Sequence, residues 1–395
     1  MSVTAAQGFR AAGVRAGLKA SGKPDLALVV NDGPLDVAAG VFTTNRVVAA
    51  PVVWSREVIG GQDQGGEPGS ARAVVLNSGS ANACTGLQGA QDARLTAQEV
   101  GRLLGAAPDE VLVCSTGVIG TPLDMPRLLD GARSAAETLA AGAQAGHDAA
   151  VAIMTTDTVP KEDTVVRDGW TVGGMIKGVG MLAPGLATML AVLTTDAQVD
   201  AAGAQRALEA ATARTVNRIN SDGCMSTNDT VVLLASGASG ASPDQAELEE
   251  ALTELLGMLG RRLVADAEGA THDIAVTVTG AVSEAAAEAA ARTVSASNLL
   301  KCAVAGNDPN WGRVLSQLGT VPEEVCPLDP DKVDVTINGV TIFRHGALGE
   351  DRSKVDMTPR ETRIDIALWA GSAEATVWTN DLTHGYVTIN AEYTT

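Results

Sequence analysis

A lysine, three glycines and an Ala–Thr pair occur together between Lys177 and Asp196, in the sequence KGVGMLAPGLATMLAVLTTD. Thr188 could act as a nucleophile if a neighbouring group removed its hydroxyl proton, and no histidine is close to it in the sequence. Cleavage of the Ala187–Thr188 bond would provide that group, because a free α-amine has a pKa near 7.7 to 8.0 and acts as a base near neutral pH. Nucleophile and base would then belong to one residue.

The residues around this pair predict a loop that leads into a buried strand. The glycines at 178, 180 and 185 permit positive φ, and Pro184 disfavours helical backbone angles at the preceding residue. Residues Met189–Leu193 are all apolar, which is typical of a strand covered on both faces. Thr188 would lie at the mouth of that strand. Spacing alone favours an ordinary core strand after a Gly/Pro loop.

The segment resembles the self-cleavage motif of the ornithine acetyltransferase family, KGxGMxxPxxAT(M/L)L. The family consists of glutamate N-acetyltransferases that cleave themselves between Ala and Thr. The matching residues are Lys177, Gly178, Gly180, Met181, Pro184, Ala187, Thr188, Met189 and Leu190. The sequence departs from the common family pattern at Val179, Gly185 and Leu186. The resemblance implies self-cleavage into an α chain, residues 1–187, and a β chain, residues 188–395, that begins with the nucleophile.

A second polar loop follows the apolar residues of VLVCSTGVIG, residues 111–120. Tetrahedral intermediates of acyl transfer need preorganised hydrogen-bond donors, and a Thr hydroxyl beside a Gly amide can supply two of them. The pattern also fits a turn whose threonine caps the next helix. The family resemblance implies that Thr116 and Gly117 are the oxyanion donors.

Further motifs that resemble the family imply substrate-binding residues. Thr155 is the first threonine of AIMTTD, and Glu268 lies in DAEGATHD. The chain ends in DLTHGYVTINAEYTT, which resembles the closing motif of the family and assigns Asn390 and Thr395. Lys177 is expected to bind the α-carboxylate of an amino-acid substrate, and Glu268 the δ-ammonium of ornithine. Without the resemblance, a solvated lysine and an exposed glutamate are ordinary surface residues.

Three other segments carry polar residues whose roles the sequence leaves open. The loop Asn77–Thr85 fits either a ligand site at a strand end or a helix cap. Asn228 and Asp229 are interpreted as structural supports of the site. Arg313, in DPNWGR, either contacts an acidic residue or closes a turn.

Composition restricts the function classes. The chain has 395 residues and a formal charge of −19, which argues against a nucleic-acid partner because such binding uses clustered Lys and Arg.

Its five cysteines are widely spaced and are predicted to be reduced core thiols. With only four histidines, no metal site is expected. No run of about 18 apolar residues occurs, so we predict a cytoplasmic protein without membrane contact.

Apolar runs and helical periodicity alternate along the chain and predict an α/β protein. Predicted strands include Leu26–Val30, Val37–Phe42, Val47–Trp54 and Thr230–Ala235. Predicted covering helices include Ala201–Val216 and Glu247–Val264. The family resemblance implies a layered sandwich of two mixed sheets between helices, which is the fold shared with self-cleaving aminopeptidases.

The resemblance implies that the acetyl group of N2-acetylornithine is moved to glutamate through an acetyl-Thr188 intermediate. It implies no cofactor, with acetyl-CoA possible as a second donor, and an assembly of two α and two β chains or more. Two alternatives remain at this stage. One is an unprocessed α/β binding module in which Thr188 belongs to the core. The other is an aminopeptidase that passes the acyl group to water.

Overall fold

A computed structural model describes residues 2–61, 67–181 and 189–392 of the chain. The predicted cleavage pair, Ala187 and Thr188, lies outside the described residues, as does Thr395. Met181 and Met189 are the described residues that flank the cleavage segment. The division into an α and a β chain therefore stays a prediction.

The secondary structure confirms the α/β class. The strands are β1 Phe9–Val14, β2 Leu26–Asn31, β3 Val37–Phe42, β4 Ala73–Ser80, β5 Val111–Val118, β6 Lys161–Arg167, β7 Trp170–Lys177, β8 Leu190–Thr195, β9 Thr230–Ala235, β10 Asp273–Ala281, β11 Asp334–Ile337, β12 Val340–Arg344, β13 Ala347–Leu348, β14 Glu361–Ala367 and β15 Ala373–Asn380. The helices are α1 Ala50–Gly60, α2 Gly86–Leu104, α3 Met125–Thr138, α4 Ala143–Ala152, α5 Ala201–Arg214, α6 Gln245–Ala265, α7 Glu284–Ser295, α8 Asn298–Ala305, α9 Trp311–Leu318 and α10 His384–Glu392.

The strands of the described residues form three mixed sheets. The first has the order β1-β2-β4-β5, and only its β4–β5 pair is parallel. The second has the order β3-β9-β8-β7-β6, and only its β8–β9 pair is parallel. The third has the order β13-β12-β11-β14-β10-β15. Mixed sheets were expected; the third sheet, formed by the C-terminal part of the chain, was not.

The first two sheets stack face to face, and each is covered by helices on its outer face. Helices α1 to α4 pack on the first sheet, and α5 and α6 pack on the second. On β8, Leu190 and Val192 join the core between the two sheets. Ala191 and Leu193 join the core under α5 and α6. This alternation confirms that the strand after the cleavage segment is buried on both faces, in a helix–sheet–sheet–helix sandwich.

The prediction of a strand at Val47–Trp54 was wrong, because α1 begins at Ala50. Pro51 lies in the first turn of this helix, where the missing N–H of proline costs no hydrogen bond. Trp54 and Val58 are one turn apart and both buried, so the apolar spacing is helical.

The five cysteines are free, as predicted, but only Cys114 and Cys326 are buried in the core. The expectation that all five are core thiols was wrong, since Cys84, Cys224 and Cys302 are exposed. Among the described residues, no helix is both long and apolar enough to cross a membrane.

Close contact between α4 and β1 requires glycine at position 13. A Cβ built on Gly13 would lie 1.9 Å from the carbonyl oxygen of Asp148. We expect Gly13→Ala to lower the free energy of unfolding by roughly 3 kcal/mol, as overpacking does when backbone must move. Urea denaturation measures the difference.

The matched control for this substitution is Gly306→Ala, at the end of α8. A Cβ there would meet its nearest atom at 3.5 Å, an ordinary contact distance, and the φ of Gly306 is −90°. Its free energy of unfolding should change by less than about 1 kcal/mol. Equal destabilisation by the two substitutions would contradict the packing argument.

Candidate active site

A pocket of about 200 Å³ collects six of the residues that the sequence assigned to chemistry or binding. These are Thr116, Gly117, Thr155, Lys177, Glu268 and Asn390. They come from five separate segments of the chain and from both stacked sheets. The pocket is also lined by Thr156, Val179, Gly180, Met181, Asp222, Cys224 and Tyr386.

Thr116 and Gly117 lie at the carboxyl end of β5, where the backbone of β4 approaches closely. The φ of Gly117 is +129°, and a Cβ on it would lie 2.4 Å from the carbonyl carbon of Gly79. Only glycine fits both constraints. The side-chain amide of Asn228 fixes this strand end by donating to the carbonyl oxygens of Ser115, at 2.9 Å, and of Ala81. Asn228 is therefore a structural support, as predicted.

Lys177 ends β7 and reaches Thr116 from the second sheet. Its Nζ donates to Thr116 Oγ1 at 3.3 Å, so the hydroxyl hydrogen of Thr116 is free to point elsewhere. Lys177 is only 2% exposed, which contradicts a solvated surface lysine. Burial lowers its pKa, while the negative charges of Asp157 and Glu268 act in the opposite direction.

Asp157 organises the floor of the pocket, and sequence reasoning did not single it out. Its carboxylate accepts hydrogen bonds from the backbone N–H of Thr155 at 2.9 Å and of Gly178 at 2.8 Å. It also pairs with Lys161 Nζ at 2.7 Å, and both side chains are completely buried. Burial by itself raises the pKa of Asp157, but Lys177 and Lys161 outweigh it and hold the pKa at about 2. An acid and a lysine four residues apart in the sequence, Asp157 and Lys161, were the signal that could have indicated this ion pair.

Glu268 follows α6 and lines the same pocket as the oxyanion donors. Its Oε1 accepts from the hydroxyl of Thr156 at 2.9 Å, and its Oε2 accepts from the side-chain amide of Asn390 at 3.0 Å. Its backbone N–H donates to the carbonyl oxygen of Val179 at 3.0 Å. These contacts fix the carboxylate next to the start of the cleavage segment.

Asp229 is completely buried beside the first described residue after that segment. Its Oδ1 accepts from the backbone N–H of Met189 at 3.1 Å. Its Oδ2 has no hydrogen-bond partner among residues 2–61, 67–181 and 189–392. Burial raises the pKa of Asp229 well above the ordinary 3.8, and the Met189 N–H offsets this only in part. The sequence indicated a supporting role but not a buried acid.

The remaining polar segments have structural roles. Arg313 donates to the carbonyl oxygen of Leu299 at 2.5 Å and so closes the α8–α9 connection. In the loop Asn77–Thr85, Asn77 accepts from Ser115 Oγ at 2.6 Å, and Thr85 donates to Asn82 at 2.7 Å. Within the described ranges, no group of His, Cys, Asp and Glu side chains could hold a metal ion.

The buried Asp229 carboxyl predicts a pH-dependent contribution to stability. The folded protein keeps a proton there that the unfolded chain loses above about pH 4, so stability falls as pH rises toward the folded-state pKa. Asp229→Asn removes this titration at nearly constant shape. We expect the difference in melting temperature, variant minus wild type, to be larger at about pH 8 than at about pH 5.

Thermal unfolding followed by circular dichroism at both pH values measures this difference. Glu374→Gln, at an exposed position of β15, is the control and should give the same difference at both pH values. A difference for Asp229→Asn that does not depend on pH would show that the carboxyl does not titrate in this way.

The chain matches a known protein family, curated proteins and solved structures. A profile described as the ArgJ family matches residues 10–395. The chain is 60% identical to the arginine biosynthesis bifunctional protein ArgJ of Bifidobacterium longum and 55% identical to that of Streptomyces coelicolor, over the full length of both partners. A solved ornithine acetyltransferase from Mycobacterium tuberculosis, complexed with ornithine, is 51% identical to this chain. The match covers 48% of this chain and 96% of that chain, with a TM-score of 0.44.

Proposed function

Because the chain belongs to the ArgJ family, we propose that it transfers the acetyl group of N2-acetylornithine to glutamate in arginine biosynthesis. The products are ornithine and N-acetylglutamate. The observation that carries the proposal is the convergence of Thr116, Gly117, Lys177 and Glu268 on one small pocket. Two hydrogen-bond donors, a buried cation and a fixed carboxylate match the oxyanion, the α-carboxylate and the δ-ammonium of this donor substrate.

The reaction requires prior cleavage between Ala187 and Thr188, which gives Thr188 its α-amine. The flanking contacts support this position, because Lys177 and Met181 line the pocket and Met189 contacts the buried Asp229. The cleaved enzyme would consist of residues 1–187 and 188–395. We expect it to be cytoplasmic and to contain two copies of each chain or more.

In the first half-reaction the α-amine of Thr188 takes the hydroxyl proton as Oγ bonds to the acetyl carbon of N2-acetylornithine. The developing oxyanion accepts hydrogen bonds from the Thr116 hydroxyl and the Gly117 N–H. The C–N bond then breaks, and the α-ammonium returns the proton to the departing amine. Ornithine leaves, and the acetyl group stays on Thr188 as an ester.

In the second half-reaction the amine of glutamate attacks the ester carbon and the same oxyanion donors act again. The α-amine accepts the proton of the attacking amine, the C–O bond breaks, and Oγ regains the proton. Lys177 serves both substrates, because each presents an α-carboxylate. We propose no resident cofactor; acetyl-CoA would enter only as an alternative donor to Thr188.

Self-cleavage is the first test of this proposal. Purified wild-type protein should separate into residues 1–187 and 188–395 on a denaturing gel, whereas Thr188→Ala should remain one chain because it lacks the attacking hydroxyl. Thr320→Ala, which removes an exposed hydroxyl far from this segment in sequence, should cleave like wild type. N-terminal sequencing that found no chain starting at Thr188 would rule the mechanism out.

The oxyanion donor is tested by Thr116→Ala. Loss of the hydroxyl should lower kcat for acetyl transfer by roughly 10² to 10³. Thr116→Ser keeps a hydroxyl and should stay within about tenfold of wild type. Rates are measured on fully cleaved protein with N2-acetylornithine and glutamate, and a decrease of less than about threefold for the alanine variant would contradict the assignment.

The double-displacement order predicts parallel double-reciprocal plots when both substrates are varied. Incubation with N2-acetylornithine alone should add one acetyl group to the chain that begins at Thr188, detectable by mass spectrometry. Intersecting plots without any acetylated chain would instead show direct transfer between two bound substrates. A parallel incubation with acetyl-CoA alone shows whether it also acetylates Thr188.

A further inference from the structure

Asp222 is a second carboxylate in the pocket that holds Glu268, and the proposed reaction has not yet used it. Both side chains line the pocket. Neither forms an ion pair with a side chain of the described ranges, whereas the nearby Asp157 and Asp266 both pair with Lys161. The pocket therefore contains two negative charges that no described side chain neutralises by contact.

Helix α10 contacts both of these acids. Tyr386 donates from its hydroxyl to Asp222 Oδ2 at 3.4 Å, and Asn390 donates from its side-chain amide to Glu268 Oε2 at 3.0 Å. Residues four apart lie on the same face of a helix, about one turn of 5.4 Å from each other. The two carboxylates also flank adjacent residues, because Asp222 Oδ2 accepts from the backbone N–H of Met181 and Glu268 Oε2 lies 3.0 Å from the Cβ position of Gly180. Their charges both act on the Tyr386 hydroxyl and raise its pKa, so the two acids share one region of the pocket.

Asp222 retains acceptor capacity for such a cation. Its Oδ1 accepts from the backbone N–H of Cys224 at 3.1 Å, and its Oδ2 accepts from the backbone N–H of Met181 at 2.7 Å. A carboxylate has about four lone-pair sites, and an ammonium group offers three donors. The hydrogen bond from Tyr386, at 3.4 Å, is long and can be exchanged for a stronger, charge-assisted one.

The pocket also contains the complementary charge. Lys177 is buried, and its hydrogen bond to Thr116 uses one of its three N–H donors. The charge of Asp222 also acts on Lys301, where it opposes the lowering of the pKa by burial, and the Nζ of Lys301 donates to the carbonyl oxygen of Ser221. The pocket thus contains one buried cation and two carboxylates, which suits an amino acid with an α-carboxylate and a terminal ammonium.

We propose that Asp222 determines donor specificity by binding, together with Glu268, the terminal ammonium of the acyl donor. The inference rests on the proposed function and adds a residue to it. Asp222 also fixes Met181, which has a φ of +53°, at the start of the cleavage segment. A purely structural role would affect every donor equally, whereas charge recognition affects only donors with an ammonium.

The test compares N2-acetylornithine with N2-acetylnorvaline, which has the same carbon chain without the δ-amine. The variant is Asp222→Asn, which keeps the shape and one acceptor oxygen but removes the charge. Its KM for N2-acetylornithine should rise about tenfold, while its kinetic constants for N2-acetylnorvaline stay within about twofold of wild type. Rates are normalised to the cleaved fraction seen on a gel, since Asp222 contacts Met181.

Glu374→Gln removes one negative charge from the surface of β15 and should change neither donor's constants. Equal losses for both donors with Asp222→Asn, or an unchanged KM for N2-acetylornithine, would overturn the inference and leave the proposed function standing. Wild-type protein that turned over neither donor would overturn the proposed function and this inference together.

Discussion

The completely buried ion pair between Asp157 and Lys161 is the interaction on which the pocket depends. Two buried charges of opposite sign cost much desolvation and are retained only with good geometry and further hydrogen bonds. Asp157 has these bonds, because it also accepts from the N–H groups of Thr155 and Gly178. Lys161 contacts Asp266 as well, at 2.6 Å. One carboxylate thereby joins the turn after α4, the end of β7 and the start of the cleavage segment.

The same charge balance explains how Lys177 can be buried in a site that needs a cation. Burial opposes its charge, and the nearby carboxylates of Asp157 and Glu268 support it. Asp157 is held ionised with a pKa of about 2, so it provides a permanent negative charge near neutral pH. Asp229 behaves in the opposite way, because burial raises its pKa more than its hydrogen bonds and the charge of Lys177 lower it.

Sequence patterns predicted the parts of the fold that depend on local periodicity. The strand Thr230–Ala235 and the helices that cover it were found, since alternation and helical spacing report burial directly. The residues Thr116, Lys177, Glu268 and Asn390 were found through motif resemblance, and the structure brings them together. Asp157, Asp222 and Tyr386 were missed because their importance arises from contacts between distant segments, which no local pattern records. The strand predicted at Val47–Trp54 was wrong because a short apolar run fits a buried strand and a helix alike, and Pro51 in the first turn was the signal for the helix.

The proposed reaction requires one pocket to accept two substrates whose side chains carry opposite charges. The α-carboxylate is common to both, so Lys177 and the oxyanion donors can act identically in each half-reaction. The two carboxylates favour ornithine and oppose the γ-carboxylate of glutamate, which must therefore take another position. Burial and the charge of Asp222 raise the pKa of Tyr386, so this hydroxyl keeps its proton and donates to Asp222. Asn390 donates to Glu268 from the same helix, so α10 holds both carboxylates through neutral donors and leaves their negative charge for the ammonium of ornithine.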